Sequence, residues 1–420
     1  VGRFGPKAEV TMLKINATRL LGDLNALAQI GGTAEGGVNR PALSAADAAG
    51  RDWFRRRIAD AGFDPHEDGA GNLSAVLPCA DQGARTLLIG SHLDTVPDGG
   101  RYDGALGTLA ALEMVRTLRE AGVSLPFHLE AIAFTDEEGT HLGLMGSRAL
   151  SGQLTGDALA APRSGGPAFA EGLARLGLTH VSILGARRDP ASLAGYIELH
   201  IEQGTRLERA GVDIGVVTSI VGIRSFWLHF GGRAAHAGTM PMASRADALW
   251  GAAWFVMAAR RLVMEEYHPG VVNCGEIELE PGAFNIVPGD VRLALEFRHS
   301  SEALLDEMEA ALLGLAGEAA RKYGLTLTTR DIGGVAAAPM SEGVITAIER
   351  AANSLGLSHT RLISFAGHDA QALSTVTPAA MLFVPSVGGI SHHAREFTTD
   401  QDVINGANTL LHAVLAMAEV

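Results

Sequence analysis

Residues 86–139 read TLLIGSHLDTVPDGGRYDGALGTLAALEMVRTLREAGVSLPFHLEAIAFTDEEG. Thr86–Ile89 is a short apolar run closed by Gly90, the pattern of a buried strand. Gly104–Glu120 sets Leu109, Leu112, Val115 and Leu118 along one side and stops before Gly122, which predicts a helix. Phe127–Phe134 is a second apolar strand. Strand, helix, strand in that order predicts a βαβ unit on a parallel sheet. In such sheets the site lies beyond the carboxyl ends of the strands. His92, Asp94, Asp103 and Asp136-Glu137-Glu138 all fall there. Histidine and carboxylate gathered at one sheet edge are the donors of a hydrolytic metal centre.

Upstream, Ser44-Ala-Ala-Asp47 opens a capped helix that can run to Gly62, and Asn72–Leu77 reads as a strand. Composition changes near residue 216. From there Ser225–Phe230, Val271–Leu279, Val291–Arg298 and Leu325–Asp331 read as strands, with helices at Ser244–Met264 and Ser301–Tyr323. The order β-α-β-β-α-β is that of a ferredoxin-like sandwich. Residues 13–215 and 333–420 are therefore expected to form one discontinuous α/β domain, with 216–332 an inserted α+β domain.

The 420 residues are 47% apolar and 19% charged, in the range of a soluble globular chain long enough for two domains. A net charge of −14 argues against nucleic acid, whose phosphates want a basic face. Cys79 and Cys274 are the only cysteines, which excludes a disulfide scaffold and a thiolate zinc site and fits a reducing cytoplasm. Val1–Thr11 lacks a long apolar core, so no secretory signal is expected, and Arg260 and Arg261 interrupt the most apolar helix, so no membrane span is expected.

His92 and Asp94, two apart on an extended segment, point the same way, so that one can bind metal while the other accepts the second ring N–H. Asp103 lies in a glycine-rich loop where a carboxylate can approach an ion, although taken alone it reads better as a helix cap. Glu137 and Glu138 are adjacent and point apart; one can coordinate while the other takes a proton from water. His200 ends the alternating run Tyr196–His200, and His392 and His393 follow a glycine loop after the strand Ala380–Val384. His236 sits in the inserted domain, where a group closing over the site would be placed. Three histidines, two acid ligands and a separate base would fully equip two ions sharing one carboxylate.

Gly90–Gly107 closely resembles the signature of the hydantoinase/carbamoylase branch of the zinc aminopeptidase-like metallohydrolases. The resemblance runs from about residue 13 to 418 and recurs at Phe134–Gly139, Leu199–Gly204, His236–Met242, Asn285–Gly289, Gly367–Gln371 and Gly389–His392. It implies an aminopeptidase-like mixed sheet with flanking helices and an inserted lid and dimerisation domain. It also implies two divalent ions. His92 and His200 would hold one, Glu138 and His392 the other, with Asp103 bridging. Glu137 would be the general base, Asp94 would orient His92, and His236 would stabilise the oxyanion. Asn285, Arg298, Arg224 and Gln203 would contact a small carboxylate substrate. His200, where related peptidases carry a carboxylate, marks this branch. Imidazole and carboxylate suit Zn²⁺, and Mn²⁺, Co²⁺ and Ni²⁺ are also compatible. The implied activity is hydrolysis of an N-carbamoyl amino acid by a homodimer. Allantoate or a β-ureido acid is the alternative substrate, and deacylation of N-acyl amino acids the more distant one. Ala235 before the lid histidine, the short segment Thr140–Met145 and the doubled histidine depart from the family pattern and bear on substrate choice.

Overall fold

The computed structural model describes residues 12–419, and the segment Val1–Thr11 considered for a secretory signal lies outside them. Two compact units emerge. The first takes in residues 12–218, Met340–Leu362 and residues 368–419, the second Ser219–Pro339 and Ile363–Gly367. In chain order the elements used below are β1 (Thr86–His92), α1 (Ala105–Glu120), β2 (His128–Phe134), β3 (Leu193–Ile201), β4 (Gly222–Gly231), α2 (Ala248–Glu266), β5 (Val271–Asn273), β6 (Ile277–Glu280), β7 (Asp290–His299), α3 (Glu302–Tyr323), β8 (Thr326–Val335) and β9 (Ala379–Val384).

In the first unit β2, β1, β3 and β9 lie side by side and parallel. Leu73–Leu77 adds antiparallel to β2, and Ile214–Ile220 pairs antiparallel with β9, so the sheet is mixed. The parallel strands are apolar almost throughout, because helices cover both faces. Helix α1 crosses from β1 to β2 and is buried from Ala105 to Leu118, well beyond the one side marked by its leucines. The helices Ala17–Ala28 and Asp400–Ala418 pack on its other flank. Two charged residues on α1 are thereby buried and are paired: Arg19 bonds Glu113 at 2.6 Å, and Arg116 bonds Asp23 at 2.6 Å.

The second unit has a five-stranded antiparallel sheet in which β6, β7, β4 and β8 follow in that order, with β5 also on β7. Helices α2 and α3 pack on one face, against Phe226, Leu228 and Phe230 of β4 and Val291, Leu293, Leu295 and Phe297 of β7. The single strand expected over Val271–Leu279 is instead the two strands β5 and β6. The register on β7 moves by one residue across Cys274-Gly275-Glu276, a bulge that a single-strand reading conceals. Among the described residues no helix is long and apolar enough to cross a membrane.

Candidate metal centre

The topology delivers a histidine or acidic side chain, and after β2 two of them, from the carboxyl end of each parallel strand. His92 is the last residue of β1, Glu137 and Glu138 follow β2, His200 is the penultimate residue of β3, and His392 lies in the loop after β9. Asp103 enters from the loop between β1 and α1. Gly104, which follows it, has φ +63°, and a Cβ there would fall inside the His92 imidazole. Only glycine lets the loop pass that close to the ring.

The groups converge in overlapping sets. His92, Asp103 and His200 bring ligand atoms within 4.8 Å of one another, as do Asp103, Glu138 and His392, and His92, Glu137 and Glu138. Asp103 is common to the first two. Its Oδ1 lies 3.1 Å from His200 Nε2 and 3.6 Å from His92 Nε2, and its Oδ2 lies 3.4 Å from His392 Nε2. Both buried histidines are oriented from behind by main chain: His92 Nδ1 donates to Asp94 O and His200 Nδ1 to Ile201 O, each at 2.9 Å. Each Nε2 is thus the acceptor nitrogen, turned toward Asp103. His92 Nε2 and Glu138 Oε1 are buried and have no hydrogen-bond partner. Polar atoms are seldom buried in that state, and an ion between them would satisfy both. The residues therefore fit divalent cations.

Charge in the pocket says the same. Burial, and then the neighbouring Glu138, Asp369 and Asp103, push the Glu137 carboxyl well above its ordinary range. Glu138 is raised to about 7 by burial and by Asp103. Burial would raise Asp103 too, but His200, His392 and His92 together hold it well below the usual carboxylate range. The hydrogen bond to Asp103 and the charge of Glu138 lift His392 to about 9. So many buried carboxylates ionise together only when cations join them.

Two expected roles, those of Asp94 and Arg224, come out differently. The Asp94 carboxylate does not orient His92. It stands 3.8 Å from Nδ1, while the residue's backbone oxygen makes the bond, and the carboxylate accepts the N–H groups of Glu137 and Glu138 at 3.4 and 3.3 Å. Gln203 faces the Asp103 carboxylate, with Nε2 2.8 Å from Oδ2, and its buried Oε1 has no partner. Arg224 is tied to Glu302, Asp306 and Glu309 of α3 at 2.6 to 2.7 Å. It pairs across the sheet with Phe297 and so lies on the helix-covered face, whereas Arg298 pairs with Ile223 and lies on the opposite face. The two arginines cannot grip one ligand.

In the second unit, His236 and Asn285 are brought together where the two-residue strands Ala235–His236 and Ile286–Val287 pair and Ala237 N–H donates to Asn285 O at 2.9 Å. His236 Nδ1 accepts the Gly238 N–H at 3.0 Å, which places the proton of the neutral ring on Nε2. Arg298 is half-buried, with Glu296 on Nε and Nη2 and Phe365 O on Nη1. His393 is exposed, accepts the Arg395 N–H, and is in none of the ligand sets.

Behind His200 lies a layer the sequence reading left without a role. Glu198 accepts Ser91 Oγ–H at 2.7 Å and Ala370 N–H at 3.0 Å, and the ring of buried His368 stands 4.6 Å from that of His200. The sign was present, since Glu198 and His200 are two apart on a strand and share a face.

A sheet-edge centre of three histidines and three acids defines a metal-dependent hydrolase, and the chain belongs to peptidase family M20/M25/M40, whose model matches residues 88–416. Within that family it stands with the hydantoinase/carbamoylase amidases. It is 36% identical over 411 residues to the N-carbamoyl-L-amino acid amidohydrolase of Geobacillus stearothermophilus, covering 96% of this chain and 99% of that protein. It is 31% identical over 403 residues to the allantoate amidohydrolase of Bacillus subtilis, covering 93% and 95%. The crystal structure of a hydantoinase/carbamoylase family amidase from Burkholderia multivorans superimposes with a TM-score of 0.89 at 35% identity, covering 97% of this chain and 98% of that one.

Proposed function

We propose that this chain is a binuclear metal amidohydrolase that cleaves the carbamoyl C–N bond of a small N-carbamoyl-L-amino acid. The observation that carries the reading is Asp103, one buried carboxylate with His92 and His200 at one oxygen and His392 at the other. His92 and His200 would hold one ion, Glu138 and His392 the second, and Asp103 both. When bound, the ions supply an activated water, with a pKa lowered to roughly 7, and polarise the carbonyl.

Glu137 is the base. Buried beside Glu138, with Oε2 3.5 Å from His92 Nε2, its carboxylate would take a proton from the attacking water and return it to the leaving nitrogen. The products are the amino acid and carbamate, which breaks into carbon dioxide and ammonia. His236, with its proton on Nε2, is the donor to the tetrahedral oxyanion. Asn285 and Arg298 receive the substrate carboxylate, for which a guanidinium is well shaped. Gln203 Oε1 offers an acceptor to a ureido N–H. The exposed Trp250, Met257 and Met264 along α2 and Ile277 on the edge strand β6 support dimerisation through the second unit.

The test is ammonia release from N-carbamoyl-L-amino acids, N-carbamoyl-β-alanine and allantoate, after chelation and restoration of Zn²⁺, Mn²⁺, Co²⁺ or Ni²⁺. Turnover of N-acyl but not N-carbamoyl amino acids, or full turnover by Glu137→Gln, would overturn the reading.

A further inference from the structure

Glu396 is 4% exposed, and its carboxylate reaches into the loop that carries Asp103. Oε1 accepts two successive backbone N–H groups, those of Tyr102 at 2.9 Å and Asp103 at 3.1 Å. Oε2 accepts the Ser391 hydroxyl at 2.9 Å, and the same hydroxyl stands 3.0 Å from Asp103 Oδ2. The fit is tight, because a Cβ on Gly100 would fall inside the Glu396 carboxyl group. One side chain therefore joins the loop presenting Asp103 to the loop presenting His392.

Those two loops need such a tie. His92 and His200 stand on strands of a buried sheet, whereas Asp103 and His392 stand on loops. His392 is half exposed at its side chain and has φ +53°, an unfavourable conformation for a residue with a Cβ. We infer that Glu396 is a positioning residue for the second metal ion, fixing Asp103 and His392 relative to each other so that they and Glu138 form one site. The inference rests on the binuclear reading above. The ion held by His92 and His200 depends on strand geometry and is predicted to be less sensitive.

The experiment is metal stoichiometry and affinity by equilibrium dialysis of the full-length protein against graded free Zn²⁺, with thermal melting in parallel. The wild type is expected to bind two ions. Glu396→Ala is expected to bind the second about 10–100-fold more weakly, the range for losing a partner that holds a ligand, while the first is little changed. Glu396→Gln keeps an oxygen for the two N–H groups and is expected to recover most of the loss. Gly100→Ala displaces the same carboxylate from the other side and should reproduce the selective loss, which keeps the idea testable if Glu396→Ala does not fold. Two wild-type affinities in both Glu396→Ala and Gly100→Ala would overturn the inference and leave the binuclear reading standing. Equal weakening of both ions with a lowered melting point would also overturn it, since that is a general packing role. A wild type that binds fewer than two ions would remove the binuclear reading and the inference together.

Discussion

Asp94 holds His92 by its backbone oxygen, at 2.9 Å from Nδ1, and not by its carboxylate, which is 3.8 Å away. The side chain works on the neighbouring segment, accepting the N–H groups of Glu137 and Glu138. Its loss is therefore predicted to act on Glu137, the proposed base, and on Glu138 more than on His92. Asp94→Asn retains an oxygen acceptor and should keep its bound metal with a moderate fall in kcat. Asp94→Ala should lose about 10–100-fold in kcat, while the ion held by His92 and His200 stays bound. Metal analysis of the purified variants beside steady-state kinetics checks this, and loss of the first ion in Asp94→Ala would refute it.

Gly104→Ala tests how closely the Asp103 loop must pass His92. The backbone at φ +63° would cost about 1–3 kcal/mol for a residue with a Cβ, and the new methyl would occupy the space of the imidazole. The ring must turn or the loop must lift, and either breaks the set of His92, Asp103 and His200. The expected outcome is a folded protein with the first ion weakened about 10-fold or more and activity lowered accordingly. Wild-type metal affinity in this variant would show that the loop has room the structure does not display.

These tests follow the border between what the sequence discloses and what it hides. Period-two alternation and strand ends made His92, His200 and Glu138 readable, because strand geometry is local. The same arithmetic would have placed Arg224 on the face of Phe226, Leu228 and Phe230, beneath the helices, and would have linked Glu198 to His200. Glu396 is different in kind. It acts on backbone N–H groups 294 and 293 residues away, and a bond to main chain leaves no side-chain pattern to find. The role of Asp94 was hidden likewise, since its carboxylate also serves backbone amides. The bulge that divides β5 from β6 lies inside a segment that reads as one strand, with Gly275 to mark it.

The opposite faces of Arg224 and Arg298 give separable mutants. Arg298→Ala should raise KM for a carboxylate-bearing substrate about 10–100-fold, the equivalent of a charge-assisted hydrogen bond of about 1.5–3 kcal/mol, with a smaller change in kcat. Arg224→Ala should leave KM unchanged. It removes three partly exposed ion pairs worth about 0–1 kcal/mol each and leaves Glu302, Asp306 and Glu309 facing one another, so its urea midpoint should fall. Michaelis parameters and urea unfolding of both proteins decide it. A raised KM in Arg224→Ala would return that residue to the substrate.

Asp136 supplies a pH dependence of stability that owes nothing to turnover. Burial, and then the charge of Asp94, raise its carboxyl from an ordinary 3.8 to about 8, although the N–H groups of Leu142 and His141 bond to it. Its folded pKa exceeds its unfolded one, so the folded state holds a proton that the unfolded chain releases between these values. The stability it contributes is complete below about pH 4 and is lost as the pH rises through about 8. Asp136→Asn keeps an oxygen for both N–H groups and has no proton to release. Metal-stripped wild type should therefore lose unfolding free energy between pH 5 and pH 8 by about 1 kcal/mol or more beyond the loss in Asp136→Asn. Urea titrations of both proteins at the two pH values measure the difference. Equal losses would mean that Asp136 is already ionised in the folded chain at pH 5.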